Sequence, residues 1–333
     1  MSDGQPIPGS LYIYAPNKGA PIFFVICFAI SASVHYWQCF RHRAFSLVGL
    51  HPICATIFTI GYALREYGAF NFIYEPGDVS VLVVFILSQV FIYVCPPLLE
   101  LANYHVLGRI LHYAPSLSPL PPDKVLATFG GLMVVIETVN ALGVALSANP
   151  SSTQTQQQIG SSLILVALAL QLAVILSFAI VAGLFHHRCA RSNISSRPVW
   201  KSLHTLYGSM ALILARSIYR TVEHAGSTTV HLRDYDSLTQ LTPLMRHEYY
   251  FYIFEATLML ANSVLWNVRN PAGTLRRNVH LAQDGITELD DGIKVDERSR
   301  MAKVGNVVTF GMLFRNKSEV QDFHELQSYP RAA

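Results

Sequence analysis

The chain has 333 residues, 51% of them hydrophobic and only 14% charged, and its mean hydropathy is +0.34. A soluble globular domain carries about 25% charged residues, so this composition excludes a surface made for water. A formal net charge of +3 is too small to imply a nucleic-acid partner.

Residues 1–20 hold Pro6, Pro8, Gly9 and Pro16 beside a single Lys18 and have no apolar core. No cleavable signal peptide is therefore expected, and the first apolar run has to act as its own insertion signal. Seven such runs follow, at about 21–40, 47–64, 79–101, 125–147, 161–185, 203–222 and 249–268. Each has roughly the length that crosses a hydrocarbon core of about 30 Å. In lipid a segment has to satisfy its own backbone hydrogen bonds, so the runs are predicted to be helices. The expected fold class is an all-α integral membrane protein, a seven-transmembrane helix bundle over residues 21–273. An extracellular segment, 1–20, precedes it, and a polar, mostly disordered cytoplasmic tail, 274–333, follows.

Orientation follows from the short connections. Arg41 and Arg43 come after the first run, Arg109 and Lys124 after the third, Arg188, Arg191, Arg197 and Lys201 after the fifth, and Arg269, Arg276 and Arg277 after the seventh. The other side offers Lys18, then Glu75 and Asp78, the uncharged stretch 151–158, and Arg233 and Arg246 offset by Asp234 and Asp236. The amino terminus is thus expected outside and the carboxy terminus in the cytoplasm. Cys27, Cys54 and Cys95 lie within apolar runs, and Cys39 and Cys189 beside basic clusters, so no disulfide is expected.

An ionised side chain at bilayer depth costs about 2.5–3.5 kcal/mol, which makes each one informative. The third run carries Gln89 and then Pro96 and Pro97, which remove two helical donors and predict a kink or an unwound turn. Glu137 and Asn140 share a face of the fourth run, and Gln171 lies in the fifth. Arg216, Arg220 and Glu223 form an i, i+4, i+7 stripe on the sixth, and Glu255 and Asn262 share a face of the seventh. The simplest account is an interior polar seam in which Arg216 or Arg220 pairs with Glu137 or Glu255. Two readings of the seam stand side by side. It is a substrate route, or its pairs only glue helices while Glu100, Arg220 and Glu223 snorkel to the interface. Among the thirteen histidines no two form a compact ligand set, so neither a metal nor a cofactor is expected, and His35 reads as a hydrogen-bonded core residue. The connection 223–248, with His231, Arg233, Asp234, Tyr235 and Asp236, either lids an external mouth or is a plain solvated loop.

With the runs placed, several strings stand out. They are Gly61-Tyr62-x-x-Arg65, Pro97-x-x-x-x-Ala102-x-Tyr104-x-x-x-Gly108-Arg109, Glu137-x-x-Asn140-x-x-Gly143 and Gln171. Further on come Leu206-Tyr207, Arg216-x-x-Tyr219-Arg220-x-x-Glu223-x-x-Gly226, Glu248-x-x-Phe251-Tyr252 and Asn270-Pro271-x-Gly273. The chain resembles the RTA-like family of fungal membrane proteins, the lipid-translocating exporters, over roughly residues 10–275. It departs at the closing string, which in the family is His-Pro-Gly. The resemblance implies export of amphipathic, lipid-like molecules, such as sphingoid long-chain bases or toxic amphiphiles, and a place in the plasma membrane. Glu137, Glu223 and Glu255 would then attract a cationic headgroup. Partners are expected to be membrane lipids or amphipathic small molecules, with the oligomeric state open.

Two rivals share the topology. A seven-helix lipid sensor or receptor fits, although Gly108-Arg109 is not preceded by the acidic residue of the rhodopsin-like type and the seventh run lacks Asn-Pro-x-x-Tyr. An intramembrane lipid hydrolase needs a nucleophile or a metal set at one depth, and the seventh run has no histidine. No enzyme activity is expected, and no GxxxxGK[ST] loop is present for a nucleotide.

Overall fold

The computed structural model describes residues 5–75, 79–148, 153–192, 197–226, 235–273, 279–281 and 288–290. Every apolar run lies in helix, and most helices overshoot their run. They are α1 (Ala20–His42), α2 (Leu50–Phe70), α3 (Val79–Tyr113), α4 (Pro122–Ala148), α5 (Gln154–Arg191) and α6 (Arg197–Ala225). The last, α7, is continuous from an α-turn at Glu248–Phe251 through a π-helical stretch, Tyr252–Thr257, into an α-helix at Leu258–Val268. The second run begins three residues early in a separate short helix, Phe45–Val48, joined to α2 at Gly49. Local signals set the ends: Arg43 in the left-handed region closes α1, and Thr153 opens α5 in a reciprocal cap with Gln156.

Four helices, α1, α3, α4 and α5, are long and apolar enough to cross a membrane by length and composition. Among the charges on the remaining long helices are Arg65 and Glu66 on α2, Lys201, Arg216, Arg220 and Glu223 on α6, and Glu248 and Glu255 on α7. Sequential helices pack side by side from α1 to α7, α7 returns to α1, and α3 also touches α6 across the middle. Around the perimeter Phe23, Ile30, Val83, Val90, Val135 and Ile180 are exposed, while the interior holds Arg65, Glu100, Arg216, Glu255 and Asn262. This distribution reverses that of a soluble domain and, with the apolar helices, identifies a multi-pass membrane protein.

Glycine permits the closest helix contacts. A Cβ on Gly61 of α2 would lie 2.9 Å from the Ile92 side chain of α3, and one on Gly160 of α5 would lie 2.7 Å from the Gly143 carbonyl of α4. The Pro96-Pro97 pair does not unwind α3, which is helical throughout. The pair is buried where α3 meets α2, and Cys54 and Cys95 reach each other's backbone carbonyls there at 3.9 and 3.5 Å. The amino-terminal segment folds back on the end of α2, with hydrogen bonds from Leu11 N–H to the Phe72 carbonyl and from Tyr74 N–H to the Gly9 carbonyl. After α7 the described residues hold one antiparallel pair, β1 (Val279–Leu281) with β2 (Glu288–Asp290), a small addition to the all-α expectation. The remainder of the expected disordered tail lies outside the described residues.

Candidate functional site

The stripe on α6 faces the bundle. At its deepest point Arg216 Nε donates to both carboxylate oxygens of Glu255 at 3.0 and 2.9 Å, with the two side chains 5% and 0% exposed. Glu255 sits inside the π-helical stretch, where the Thr257 hydroxyl donates to the Tyr252 carbonyl at 2.8 Å. Such stretches insert one residue into an α-helix and recur at functional sites. Of the pairings the sequence left open, this is the one formed.

One turn further, Arg220 pairs with Glu223 on its own helix. It also donates to the Tyr93 hydroxyl at 3.2 Å and lies 4.2 Å over the Tyr93 ring. Both residues of this pair are half-buried, so they do not snorkel free of the protein. The Tyr219 hydroxyl donates to Glu223 at 3.3 Å.

A third ion pair was missed in the sequence. Arg65 of α2, 2% exposed, donates to Glu248 at 3.1 Å, to the Tyr14 hydroxyl at 3.1 Å and to the Tyr252 hydroxyl at 3.4 Å. Its guanidinium lies 4.1 Å over the Phe251 ring, and Glu248 also accepts from the backbone of Asn17 at 2.7 Å. Arg65 and Glu248 each stood in a family string, but Glu248 precedes its apolar run and so read as loop. Burial pushes the Tyr12 and Tyr14 phenols above their ordinary value, opposed by the neighbouring Arg65, so both stay neutral.

One member of each of two pairs, Arg65 and Glu223, lines a cavity of about 220 Å³ at the end covered by the amino-terminal segment. Gln89, Tyr93, Tyr219 and His247 line it as well. Leu244 and Met245 of the connection before α7 also border it, whereas His231, Arg233 and Asp234 lie outside the described residues.

Other expected residues lie apart from this column. Glu100 does not snorkel: it is 1% exposed and accepts from Gln171 Nε2 at 2.6 Å and the Tyr104 hydroxyl at 3.2 Å. The reason is that α3 continues to Tyr113, which places Glu100 inside the bundle. Glu137 is half-buried beside Asn140, its hydrogen-bond partner, and forms none of the three ion pairs among the described residues. Asn262 is fully buried, and neither its side-chain oxygen nor its nitrogen has a partner among the described residues. No group of three or more His, Cys, Asp or Glu among the described residues is placed to hold a metal.

Chemically, the column is a set of carboxylates each already held by a guanidinium and walled by tyrosines. Each carboxylate is a site for a cation in low dielectric, at present filled by an arginine.

A family model described as RTA1 like protein matches residues 52–278. A protein of Leptosphaeria maculans named Lipid-translocating exporter-like protein RTA1 is 49% identical over 319 residues, covering 94% of this chain and 61% of that protein. This chain therefore spans less than two thirds of that relative, yet the match takes in much of the stretch after residue 274. A protein of the same name from Ajellomyces capsulatus is 29% identical over 74% of this chain and 78% of its own length. Protein RTA1 of Saccharomyces cerevisiae is 29% identical over 78% and 84%. No solved structure matches.

Proposed function

Because this chain belongs to the RTA1-like protein family, we propose that it exports amphipathic, lipid-like molecules, with sphingoid long-chain bases or toxic amphiphiles as substrates and resistance as the outcome. The names of its relatives support lipid translocation as the family's theme. On this reading the protein is a carrier and not an enzyme. All seven long helices cross the plasma membrane, the cavity opens outside, and the carboxy terminus is cytoplasmic. The Lys and Arg that follow α1, α3, α5 and α7 support that orientation.

The observation that carries the proposal is the set of three ion pairs held inside the bundle, Arg65–Glu248, Arg220–Glu223 and Arg216–Glu255, of which Arg65 and Glu223 line the cavity and Glu255 belongs to the π-helical stretch. A long-chain base has a cationic amine and an apolar tail. Its tail stays among the exposed apolar side chains, and its amine needs a carboxylate at every depth it passes. Here the amine would trade places with an arginine. Glu223 is the first acceptor, being 15% exposed where Glu255 is 0%. Glu137, expected from the sequence to attract the same headgroup, stands off this column.

The purified protein, reconstituted with a fluorescent long-chain base, should accelerate its transfer between leaflets. Glu223→Gln should slow that transfer about tenfold, the worth of one charge-assisted contact of about 1.4 kcal/mol. Transfer no faster than in protein-free liposomes would refute export. Unchanged transfer by a folded Glu223→Gln protein would remove Glu223 from the route.

A further inference from the structure

Beyond the Arg216–Glu255 pair, toward the end that carries Arg41 and His42, the core holds polar groups that the export column does not use. His51, the second residue of α2, is 2% exposed, and neither ring nitrogen has a hydrogen-bond partner among the described residues. Asn262 of α7 is equally unpartnered, and Trp266, one turn on, lies 4.9 Å from the His51 ring. Each unsatisfied buried polar atom costs about 1–3 kcal/mol. A group of them at one place in an apolar core marks a position that something polar visits.

A path leads there. The His51 ring stacks on His35 of α1 at 5.5 Å, and His35 Nε2 lies 3.4 Å from the Ser263 hydroxyl. Ser263 Oγ lies 2.7 Å from Ser31 Oγ, and Asn267 Nδ2 donates to Ser31 Oγ at 2.5 Å. Gln38 Nε2 donates to the Asn267 carbonyl at 2.7 Å, and Asn270 Nδ2 to Gln38 Oε1 at 2.5 Å, at the end of the bundle. Imidazoles and hydroxyls can both accept and release a proton, so His35, Ser263 and Ser31 have the chemistry that moves one, while the amides of Asn267, Gln38 and Asn270 tie that group by hydrogen bonds to the end of the bundle.

We infer that the His35–His51 pair is a proton-binding site, entered from the basic end of the bundle through Ser31 and Ser263, and that it couples proton movement to export. The coupling rests on the function proposed above; the site does not. An acid in the water at that end gives up a proton, which adds to a ring-nitrogen lone pair and makes one imidazolium, and no other bond changes. The groups facing the site are few. His35 from α1 is the titratable group acting on His51, Trp266, Asn262 and Ser263 from α7 are uncharged, and among the described residues no carboxylate or guanidinium acts on either ring. Two imidazolium ions this close repel, so the pair holds one proton, which the face of Trp266 stabilises.

Trp266 is the reporter. Trp37→Phe with Trp200→Phe leaves it the sole indole, and its emission in the purified full-length protein should fall along a one-proton curve as the pH is lowered. That quenching should vanish in His51→Gln, whose side chain is polar and uncharged at every pH tested, with unchanged helical circular dichroism verifying the fold. Flat emission in the parent protein, or the same curve in His51→Gln, overturns the site. In vesicles with an entrapped pH dye, long-chain-base transfer should move protons and respond to an imposed pH gradient, and His51→Gln should lose both responses. Transfer indifferent to the gradient overturns the coupling and leaves export standing. Quenching without any transfer supports the site and sinks the export reading.

Discussion

Replacing Arg216 by Met would leave Glu255 as a carboxylate with no cation in the middle of the bundle. Both side chains of the pair are buried, and one guanidinium nitrogen contacts both carboxylate oxygens at 2.9 and 3.0 Å. Removing one partner of a buried pair costs about 3–5 kcal/mol, whereas replacing both by apolar residues of similar volume is neutral or stabilising by about 1–4 kcal/mol. Arg216→Met and Glu255→Leu should therefore each lower stability by about 3–5 kcal/mol, and the double variant should regain most of it. Denaturant unfolding in mixed micelles, followed by tryptophan emission, measures the three values, and long-chain-base transfer is assayed on the same preparations. The double variant should be nearly as stable as the parent yet transfer at the protein-free rate, which separates a route from a strut. Additive penalties would refute the pairing, and full transfer by the double variant would reduce the pair to helix glue.

Further outcomes follow from neighbouring geometry. Arg65→Lys removes the fork that reaches Glu248, Tyr14 and Tyr252 together, so the thermal midpoint should fall as for a loss of about 1–3 kcal/mol, although charge is kept. Gly160→Val should separate α4 from α5 and cost about 1–3 kcal/mol in the same unfolding assay, while Gly131→Ala, whose Cβ meets nothing within 4 Å, should be near neutral. Glu100→Ala leaves the Gln171 amide and the Tyr104 hydroxyl without their buried acceptor and should cost about 2–4 kcal/mol, against less than about 1 kcal/mol for Glu100→Gln.

The positions of the long helices were legible because twenty-residue apolar runs have few other uses. The inward stripe of Arg216, Arg220 and Glu223 was legible too, since its spacing matches the helical repeat. Its partner was not. Choosing Glu255 over Glu137 depends on how α7 is rotated about its axis, and the π-helical stretch sets that rotation without any signature in apolar content. Glu100 was misread through a boundary: ending the third run at Leu101 put it at an interface, but α3 continues to Tyr113 with its later residues buried. Arg65–Glu248 was invisible for a different reason, because its partners are brought together by the fold-back of residues 5–17 over the bundle end. Of the kink or unwound turn that Pro96-Pro97 led one to expect, the unwound turn is absent, in a place where α3 is gripped by α2 at Gly61.

The inserted residue in α7 has a mechanical meaning. One extra residue turns everything after it by about 100° around the axis, so the two halves of this helix are out of phase. The half before it aims Glu248 and Tyr252 at Arg65, and the half after it aims Ser263 and Trp266 at His35, His51 and Ser209. Deleting any one residue between Tyr252 and Thr257 would make the helix uniform and swing one of those groups out toward the acyl chains. The stretch behaves as a splice, joining two differently indexed surfaces in a single rod and letting each end of the bundle be built to its own register.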